Sequence, residues 1–325
     1  MNVIIYNFSD TFGGQERYVV DVIQRLIKLN YSVTFSGGPS VVSGSINTYQ
    51  GRKIDVAIIN GNKALYKRAL KLNSGEFRVY VQHSDINDGQ QSRLKRWVRK
   101  FLVKLLLHRV DLVVRVCDAA LPNVYAPGKI ETIYNGVEIQ KSVVFKDIDI
   151  PIKLLMVGAI NENKNQRLAI EALTNIPNAV LTIVGCGADK EELVELTKRL
   201  SLESRVKWVG FVEDPSPYYR QAHLLLMLSR YEAFPYVVLE AMSNGVPVVA
   251  VPVGGVPEII KTGENGWLID SYAKDKLSNL INKISEDNDT YRTVSKEAVS
   301  TISTSFTKEK MVNKLLAEIA KRNKS

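Results

Sequence analysis

Short apolar runs and amphipathic helical segments alternate along the first 145 residues. The first run, Asn2 to Tyr6, is β-branched, and in the next segment, Gln15 to Leu29, apolar residues recur at helical spacing. Further strand-like runs are predicted at residues 32–36, 55–59, 78–82, 112–116 and 130–134. Strands and helices that alternate in this way are typical of an α/β domain with a parallel sheet.

The same alternation starts again at Lys153, after a segment (Lys141 to Pro151) that fits neither period and is predicted to be a linker. Strands are predicted at residues 153–158, 180–184, 206–209, 224–228 and 247–251, and helices at 165–173, 190–200 and 236–243. Two further helices, of which the last spans Lys308 to Ala320, complete the chain. We therefore predict two doubly wound domains, residues 1–145 and 146–305, that bind ligand in a cleft at the carboxyl ends of their strands. Residues 306–325 are expected to form a helix that packs back on the first domain.

The composition, with 45% hydrophobic and 24% charged residues, is that of a globular protein. Two cysteines exclude a disulfide framework, and three histidines without ligand spacing argue against a structural metal. The N-terminal segment has neither the basic region of a signal peptide nor an apolar run long enough to span a membrane. A cytoplasmic protein is therefore expected.

The net charge of +9 lies almost wholly in the first half of the chain. Residues 1–150 carry 21 Lys and Arg against 13 Asp and Glu, a balance of +8, and residues 151–325 carry 22 against 21. Within the first half, Arg93 to Arg109 contain seven cations and no acid. The same segment has apolar residues at helical spacing, namely Leu94, Trp97, Val98, Phe101, Leu102 and Leu105. Two interpretations are open, a core helix with a solvated basic face or an interfacial helix at an anionic membrane surface. Nucleic acid is not favoured as a partner, because no recognisable binding module accompanies the patch.

The most informative segment runs from Ser229 to Ile269 and contains two glutamates, Glu232 and Glu240, in an E-x7-E spacing. The spacing alone is uninformative, since Glu195 and Glu203 repeat it on a polar helix. Glu232, however, ends an apolar strand, and Glu240 lies one turn into the next helix, whose N-terminus would present backbone N–H groups to an anion. The two carboxylates would then accept hydrogen bonds from neutral hydroxyl groups. This context favours a binding site over a capped surface helix with solvated glutamates.

The segment resembles the signature of glycosyltransferase family 4, a group of retaining transferases of bacterial surface-polysaccharide type with the GT-B fold. Gly13-Gly14-Gln15-Glu16 resembles the family's glycine-rich loop, and Asn135-Gly136-Val137-Glu138 resembles its N-G-V-D turn. Lys164 falls on the position of a family lysine. The resemblance implies an α/β GT-B fold of two Rossmann-like domains facing across a cleft. The first domain would bind the acceptor and the second the nucleotide sugar.

The resemblance also implies roles for individual residues. Glu240 would bind the nucleotide ribose, Glu232 the donor-sugar hydroxyls and Lys164 the pyrophosphate, while His83, at the end of a strand, would contact the donor sugar. The other predicted binding positions are glycines and backbone amides in the same loops, namely Gly13, Gly14, Gly158, Tyr236, Val237 and Val238.

One residue departs from the family pattern. The family usually has an arginine directly after the glycine at Gly158, and this chain has Ala159 there. A lysine cannot reproduce the bidentate phosphate contact of a guanidinium, so Arg230 and Arg167 are the candidates to replace it.

No metal or other cofactor is expected. Asp147-Ile148-Asp149 and Asp287-Asn288-Asp289 have the D-x-D spacing of metal-dependent transferases, but neither follows a buried strand, and both are interpreted as structural. Gly185-Cys186-Gly187 begins a dinucleotide-binding fingerprint that is incomplete, since Lys190 occupies its third glycine position.

The predicted function is sugar transfer of the hexosyltransferase class, with retention of configuration, from a nucleotide diphosphate donor to a saccharide or lipid-linked saccharide acceptor. A UDP-sugar is the favoured donor. The resemblance implies a role in surface polysaccharide synthesis, and the basic first half adds a peripheral position on the inner face of the cell membrane. Two alternatives stay open: a nucleotide-sugar epimerase of the same fold, which would change the donor without an acceptor, and a non-catalytic transferase-like subunit, which Ala159 would favour.

Overall fold

The computed structural model describes residues 1–9, 13–37, 53–68, 75–84, 93–140 and 142–323. The strands of these residues are β1 (Asn2–Asn7), β2 (Ser32–Gly37), β3 (Val56–Asn60), β4 (Phe77–Gln82), β5 (Leu112–Arg115), β6 (Ile130–Thr132), β7 (Ile152–Val157), β8 (Ala179–Val184), β9 (Val206–Gly210), β10 (Leu224–Met227), β11 (Val248–Ala250) and β12 (Trp267–Leu268). The α-helices are α1 (Gly14–Lys28), α2 (Gly61–Arg68), α3 (Arg93–Leu107), α4 (Gln166–Ala172), α5 (Lys190–Arg199), α6 (Ser216–Gln221), α7 (Tyr236–Ser243), α8 (Val256–Ile259), α9 (Lys274–Ser285), α10 (Asn288–Ser305) and α11 (Lys308–Arg322).

The chain divides into two compact units, and the first comprises Met1–Gly136 together with Lys308–Ser325. Its sheet has the order β2-β1-β3-β4-β5-β6, with every neighbouring pair parallel. β3 is buried at every position, as expected for an apolar run covered on both faces. The strand order reverses between β1 and β3, so the carboxyl ends of these two strands form the switch point of the sheet, where α/β folds bind their ligands.

The last helix, α11, belongs to this first unit although it follows the second unit in the chain. Its apolar side chains Met311, Val312, Leu315 and Ile319 are buried. Two ion pairs join it to α1, one between Lys308 and Asp21 at 2.7 Å and one between Glu309 and Arg25 at 2.6 Å.

The second unit comprises Val137–Thr307. Its sheet has the order β12-β11-β10-β7-β8-β9, again parallel throughout. The core lies on both faces of β7, β8 and β10, and β10 is buried at every position. The order reverses between β7 and β10, so the loops that follow these two strands meet at the switch point of this sheet.

The segment predicted to be a linker is packed into the second unit. The boundary between the units falls after Gly136, whereas the sequence placed it after residue 145. The described part, residues 142–151, contains no helix or strand, but Ile148 is buried in the core and its N–H donates to Asn288 Oδ1 at 2.7 Å. The Lys146 ammonium donates to the carbonyl oxygens of Arg220 and Ala222. Side-chain hydrogen bonds therefore hold this irregular backbone in place. The hydrophobic periodicity of the sequence cannot predict such bonds.

The prediction of two helices at the end of the chain was wrong, since the described residues there form three: α9, α10 and α11. Only Glu286 and Asp287 separate α9 from α10, and neither is a glycine or proline that would signal a break. Glu286 is the C-cap of α9, and Asp287 is the N-cap of α10, where its side chain accepts the Thr290 N–H at 3.0 Å.

Candidate active site

Two predicted site residues of the second unit meet at its switch point, and a third lies on the helix that follows. Lys164 lies in the loop after β7, Glu232 in the loop after β10, and Glu240 on α7, which follows that loop. The Lys164 ammonium contacts the Glu232 carboxylate, and the two side chains are only 24% and 14% exposed. A charge pair so little exposed is screened far less than a surface pair, so Lys164 and Glu232 hold each other in a defined position.

Asn163, which sequence reasoning did not single out, ties the two loops together. Its carbonyl accepts the Arg230 N–H at 2.8 Å, and its side-chain amide both accepts from the Tyr231 N–H at 3.0 Å and donates to the Tyr231 carbonyl at 3.2 Å. The side chain of Asn161 accepts the Lys164 N–H at 3.0 Å. These hydrogen bonds give partners to backbone N–H and C=O groups that lie outside the sheet. They also hold the loop of Lys164 against the loop of Glu232. In the sequence, only the asparagine-rich loop after a buried strand could have indicated the role of Asn163.

Glycines allow the loops of this edge to lie against one another. A Cβ on Gly185 would lie 1.9 Å from the Gly158 carbonyl oxygen, and one on Gly187 would lie 2.0 Å from that of Ile160. The pattern Gly185-Cys186-Gly187 therefore has a packing role: it lets the β8 loop lie against the loop that carries Lys164. Gly158 itself has a φ of +140°, and a Cβ there would lie 3.4 Å from the Lys164 side chain.

Gly254, also missed by sequence reasoning, supports Glu232 from the other side. It has a φ of +53°, and a Cβ on it would lie 1.8 Å from the Glu232 carbonyl oxygen. The next residue, Gly255, donates its N–H to the Ala233 carbonyl at 2.7 Å. The loop after β11 is thus in direct backbone contact with the loop that carries Glu232.

Glu240 is buried, at 8% exposure, and accepts a hydrogen bond from the Tyr219 hydroxyl on Oε2 at 2.6 Å. It lies on α7, whose first residues are the predicted phosphate-binding positions Tyr236, Val237 and Val238. The Val238 N–H already donates to the Pro235 carbonyl at 3.2 Å. The Val238 amide is therefore already engaged within the chain.

The two arginines that could replace the one missing at Ala159 both line a single pocket of about 430 Å³ in the second unit. Arg167 is engaged there by the carboxylates of Glu192 and, at 3.9 Å, Glu171. Arg230 lies with its guanidinium 5.9 Å from the centre of the Tyr272 ring and 3.9 Å from Glu162. Arg230 belongs to the same loop as Glu232 and comes two residues before it.

In the first unit, His83 and the glycine-rich loop meet a buried polar network at the switch point. Asn7 ends β1, Asn60 ends β3, and both side chains are buried. The Asn60 amide group donates to Asn7 Oδ1 and to the Gln15 carbonyl, both at 3.2 Å. Glu16, also buried, accepts from the Asn7 amide at 3.4 Å. These asparagines were missed, because two residues 53 positions apart carry no local pattern.

Gly13 and Gly14 do not form a turn of left-handed backbone. Gly13 is extended, with a φ of −160°, and precedes α1 as its N-cap, while Gly14 is the first helical residue. Residues 10–12, the other part of this predicted loop, lie outside the described residues.

His83 is neutral in this setting, because burial lowers its pKa to about 3. Its ring packs edge-on against Tyr18 with the centroids 5.0 Å apart. Nε2 lies 2.7 Å from Asn60 Oδ1, and the Asn60 amide nitrogen is already donating elsewhere, so Nε2 carries the proton. Nδ1 is then the acceptor of the ring.

The two D-x-D segments lie side by side and are used in ion pairs and caps. Arg292 pairs with Asp147 at 2.5 Å and with Asp289 at 3.6 Å. Asp149 pairs with Lys153 at 2.9 Å, and Asp287 caps α10. Within the described residues no group of three or more His, Cys, Asp and Glu side chains is arranged to hold a metal ion.

Comparison with known proteins identifies the class. Residues 141–301 match the family model of glycosyl transferases group 1. The structure of HepE from Anabaena, solved in complex with UDP, superposes with a TM-score of 0.84 at 22% identity, covering 99% of this chain and 100% of that one. The fold is therefore that of the GT-B glycosyltransferases. Residues 141–301, just under half of the chain, are thus similar to glycosyl transferases group 1, a family of glycosyltransferases.

Two curated relatives illustrate how far the similarity extends. N-acetyl-α-D-glucosaminyl L-malate synthase of Bacillus anthracis is 26% identical over 230 residues, which are 65% of this chain and 60% of the relative. A Campylobacter jejuni protein, N-acetylgalactosamine-N,N'-diacetylbacillosaminyl-diphospho-undecaprenol 4-α-N-acetylgalactosaminyltransferase, is 28% identical over 67% of this chain and 62% of the relative. The matched region thus spans about three-fifths of the length of these relatives.

Proposed function

We propose that this chain transfers a sugar from a nucleotide diphosphate donor, a UDP-sugar in the first instance, to a saccharide or lipid-linked saccharide acceptor with retention of configuration. The observation that carries the proposal is the pairing of Lys164 with Glu232 at the switch point of the second unit, beside the buried Glu240 on the next helix. These groups match the two ends of such a donor, since an ammonium suits a diphosphate and carboxylates accept hydroxyl hydrogen bonds.

In the proposed complex the ion pair opens when the donor binds. The Lys164 ammonium and the N-terminus of α7 turn to the diphosphate, and Glu232 accepts hydrogen bonds from the sugar hydroxyls. The bond between the anomeric carbon and the diphosphate breaks, the acceptor oxygen bonds to the same face of that carbon, and the acceptor proton passes to the leaving phosphate oxygen. The protein supplies position and charge stabilisation, and no nucleophile of its own.

Neutral His83 is assigned to the sugar end of the donor. A neutral imidazole can accept a hydroxyl hydrogen bond on Nδ1, which a charged imidazolium cannot do. Gly13 and Gly14, at the start of α1, remain predicted binding positions of the acceptor-side unit.

The relatives support the substrate class by analogy. HepE has been solved in complex with UDP-glucose, and the Campylobacter jejuni relative is named for an acceptor linked to diphospho-undecaprenol. We infer from these names a UDP-sugar donor, a lipid-linked acceptor in surface polysaccharide synthesis, and action at the inner face of the cell membrane.

The test is incubation of the purified chain with a panel of UDP- and GDP-sugars, with and without a saccharide acceptor, followed by nuclear magnetic resonance of the product. We expect a product that keeps the anomeric configuration of the donor, and we expect Lys164→Met to lower the rate at least about a hundredfold. Lys198→Met is the matched control, because Lys198 forms an exposed ion pair with Glu195. A changed donor sugar without any acceptor would identify an epimerase instead, and binding without turnover would identify a non-catalytic subunit.

A further inference from the structure

The helix α3 differs from an ordinary surface helix, because most of its apolar side chains face away from the core. Val103, Leu106 and Leu107 are buried in the core of the first unit. The longer apolar stripe predicted from the sequence points away from that core and is solvent-exposed: Leu94, Trp97, Val98, Phe101, Leu102 and Leu105. We call these six residues the α3 apolar face. Trp97 is 64% exposed and Phe101 56%, and their rings stack with centroids 5.8 Å apart.

The cations of α3 lie beside this face. At 100° per residue, Lys100 and Lys104 fall along one edge of it and Lys95 along the other. Arg99 lies on the inner side, near Tyr66, Tyr80 and Tyr125. Burial raises the pKa of each of these tyrosines, and the charge of Arg99 opposes that rise. The helix contains no acidic residue. One of the two sequence interpretations was a core helix with a solvated basic face. α3 does pack into the core, through Val103, Leu106 and Leu107, but the six residues of the stripe on which that interpretation was based are exposed.

We propose that the α3 apolar face inserts into the interfacial region of an anionic lipid bilayer, with the helix lying in the membrane plane and its lysines at the headgroups. Trp97 and Phe101 provide the aromatic anchor that such a position favours, and Lys95, Lys100 and Lys104 provide charge complementarity. Among the described residues no helix is long and apolar enough to cross a bilayer. The proposal deepens one part of the proposed function, the position at the membrane, and it concerns binding alone, so that vesicle binding and sugar transfer are tested separately.

A second copy of the chain is the rival occupant of the same face. Two copies joined through this face would bring both lysine edges together without any acid from α3 to neutralise them. An anionic surface instead neutralises the lysines and buries the aromatic rings at the same time. The charge of the helix therefore favours the membrane.

The experiment measures the fluorescence of Trp97 as the reporter of insertion. The other two tryptophans, Trp208 and Trp267, are less exposed. Vesicles of phosphatidylcholine with phosphatidylglycerol should shift the emission of the full chain to the blue, and lipids brominated in the upper acyl chain should quench it. The Trp97→Phe variant should lose this response while still sedimenting with vesicles. These two readouts report insertion and not merely attraction.

Variants separate the apolar anchor from the charges. Replacing both Trp97 and Phe101 by serine should lower the vesicle partition coefficient about a hundredfold. Phe211→Ser is the matched control and should leave it unchanged, since Phe211 is 68% exposed in the second unit. Replacing Lys95, Lys100 and Lys104 by glutamine should lower it about fivefold per lysine on anionic vesicles only.

Three outcomes would overturn the proposal. The first is absence of binding to anionic vesicles at low salt. The second is binding without a blue shift or quenching, which would mean electrostatic attraction alone. The third is self-association in sedimentation that the serine variant abolishes, which would assign the face to a second copy of the chain. Thermal unfolding of each variant must match the parent, so that a loss of binding is not a loss of folding.

Discussion

Glu240 is the residue on which nucleotide recognition is predicted to depend. It is buried on α7, and the Tyr219 hydroxyl holds its carboxylate at 2.6 Å. A ribose hydroxyl that loses a charged acceptor loses about 1.5–3 kcal/mol, so Glu240→Gln should weaken UDP binding by that amount in calorimetry. The control is internal to the chain: Glu195→Gln, on α5, and Glu203→Gln, in the turn after α5, remove the same E-x7-E spacing at exposed positions and should leave UDP binding unchanged. An equal loss of UDP affinity in Glu240→Gln and in the control variants would contradict the assignment.

Arg230 is predicted to replace the arginine that is absent at Ala159. Arg167 is committed to Glu192 and Glu171, whereas Arg230 has one acidic contact, Glu162 at 3.9 Å, and lies next to the Glu232 loop. We therefore expect Arg230→Gln to weaken UDP binding about tenfold and Arg167→Gln to leave it unchanged, as measured by calorimetry. The reverse order would assign the phosphate contact to Arg167.

At the scale of elements, the loop after β11 supports the loop after β10. Gly254→Ala combines a left-handed backbone with a Cβ 1.8 Å from the Glu232 carbonyl oxygen. Left-handed strain alone costs about 1–2 kcal/mol, and the clash must add to it by displacing Glu232. We expect Gly254→Ala to lower the thermal midpoint by several degrees and to reduce sugar transfer by more than the stability loss explains.

Gly263→Ala is the control for that variant. Gly263 has a φ of +80° but nothing within 4 Å of a Cβ, so its substitution measures strain without a clash. If both variants lost the same stability and kept the same activity, the contact between the two loops would have no role in placing Glu232.

At the scale of the whole molecule, two histidines with lowered pKa values make the chain sensitive to acid. Burial lowers the pKa of His83 to about 3 and that of His223 to about 4, from an ordinary value of 6.5. Below pH 6.5 the unfolded chain therefore binds more protons than the folded chain, and the free energy of unfolding falls as the pH drops toward those values. The slope is at most about 1.4 kcal/mol per pH unit for each histidine.

Urea unfolding at several pH values between 4 and 6.5 measures this effect. His83→Asn and His223→Asn should each flatten the dependence of the unfolding free energy on pH. The third histidine, His108, is exposed, and His108→Asn should leave the slope as it is. A slope that none of the three variants changes would show that carboxylates, and not these histidines, set the acid sensitivity.

Much of the fold could be predicted because its signals are local. The apolar runs that form β3, β7 and β10 and the helical stripe of α1 are complete within a few residues, and the order of strands and helices follows from them. Glu232 and Glu240 could be singled out for the same reason, since a strand, a turn and a helix follow one another there. Asn163, Asn60 and Gly254 could not, because each acts on a residue in another loop.

The sequence by itself determined the alternation of strands and helices, the charge of the first half and the positions of the chemically active residues, since periodicity, composition and spacing are properties of neighbours in the chain. Only the tertiary structure decided which residues meet. It brings Lys164 to Glu232 across 68 positions and turns the apolar side of α3 away from the core. The physical reason is that strand order and helix rotation depend on how the whole unit packs, and a helical stripe has the same period whether it faces a core, a membrane or water.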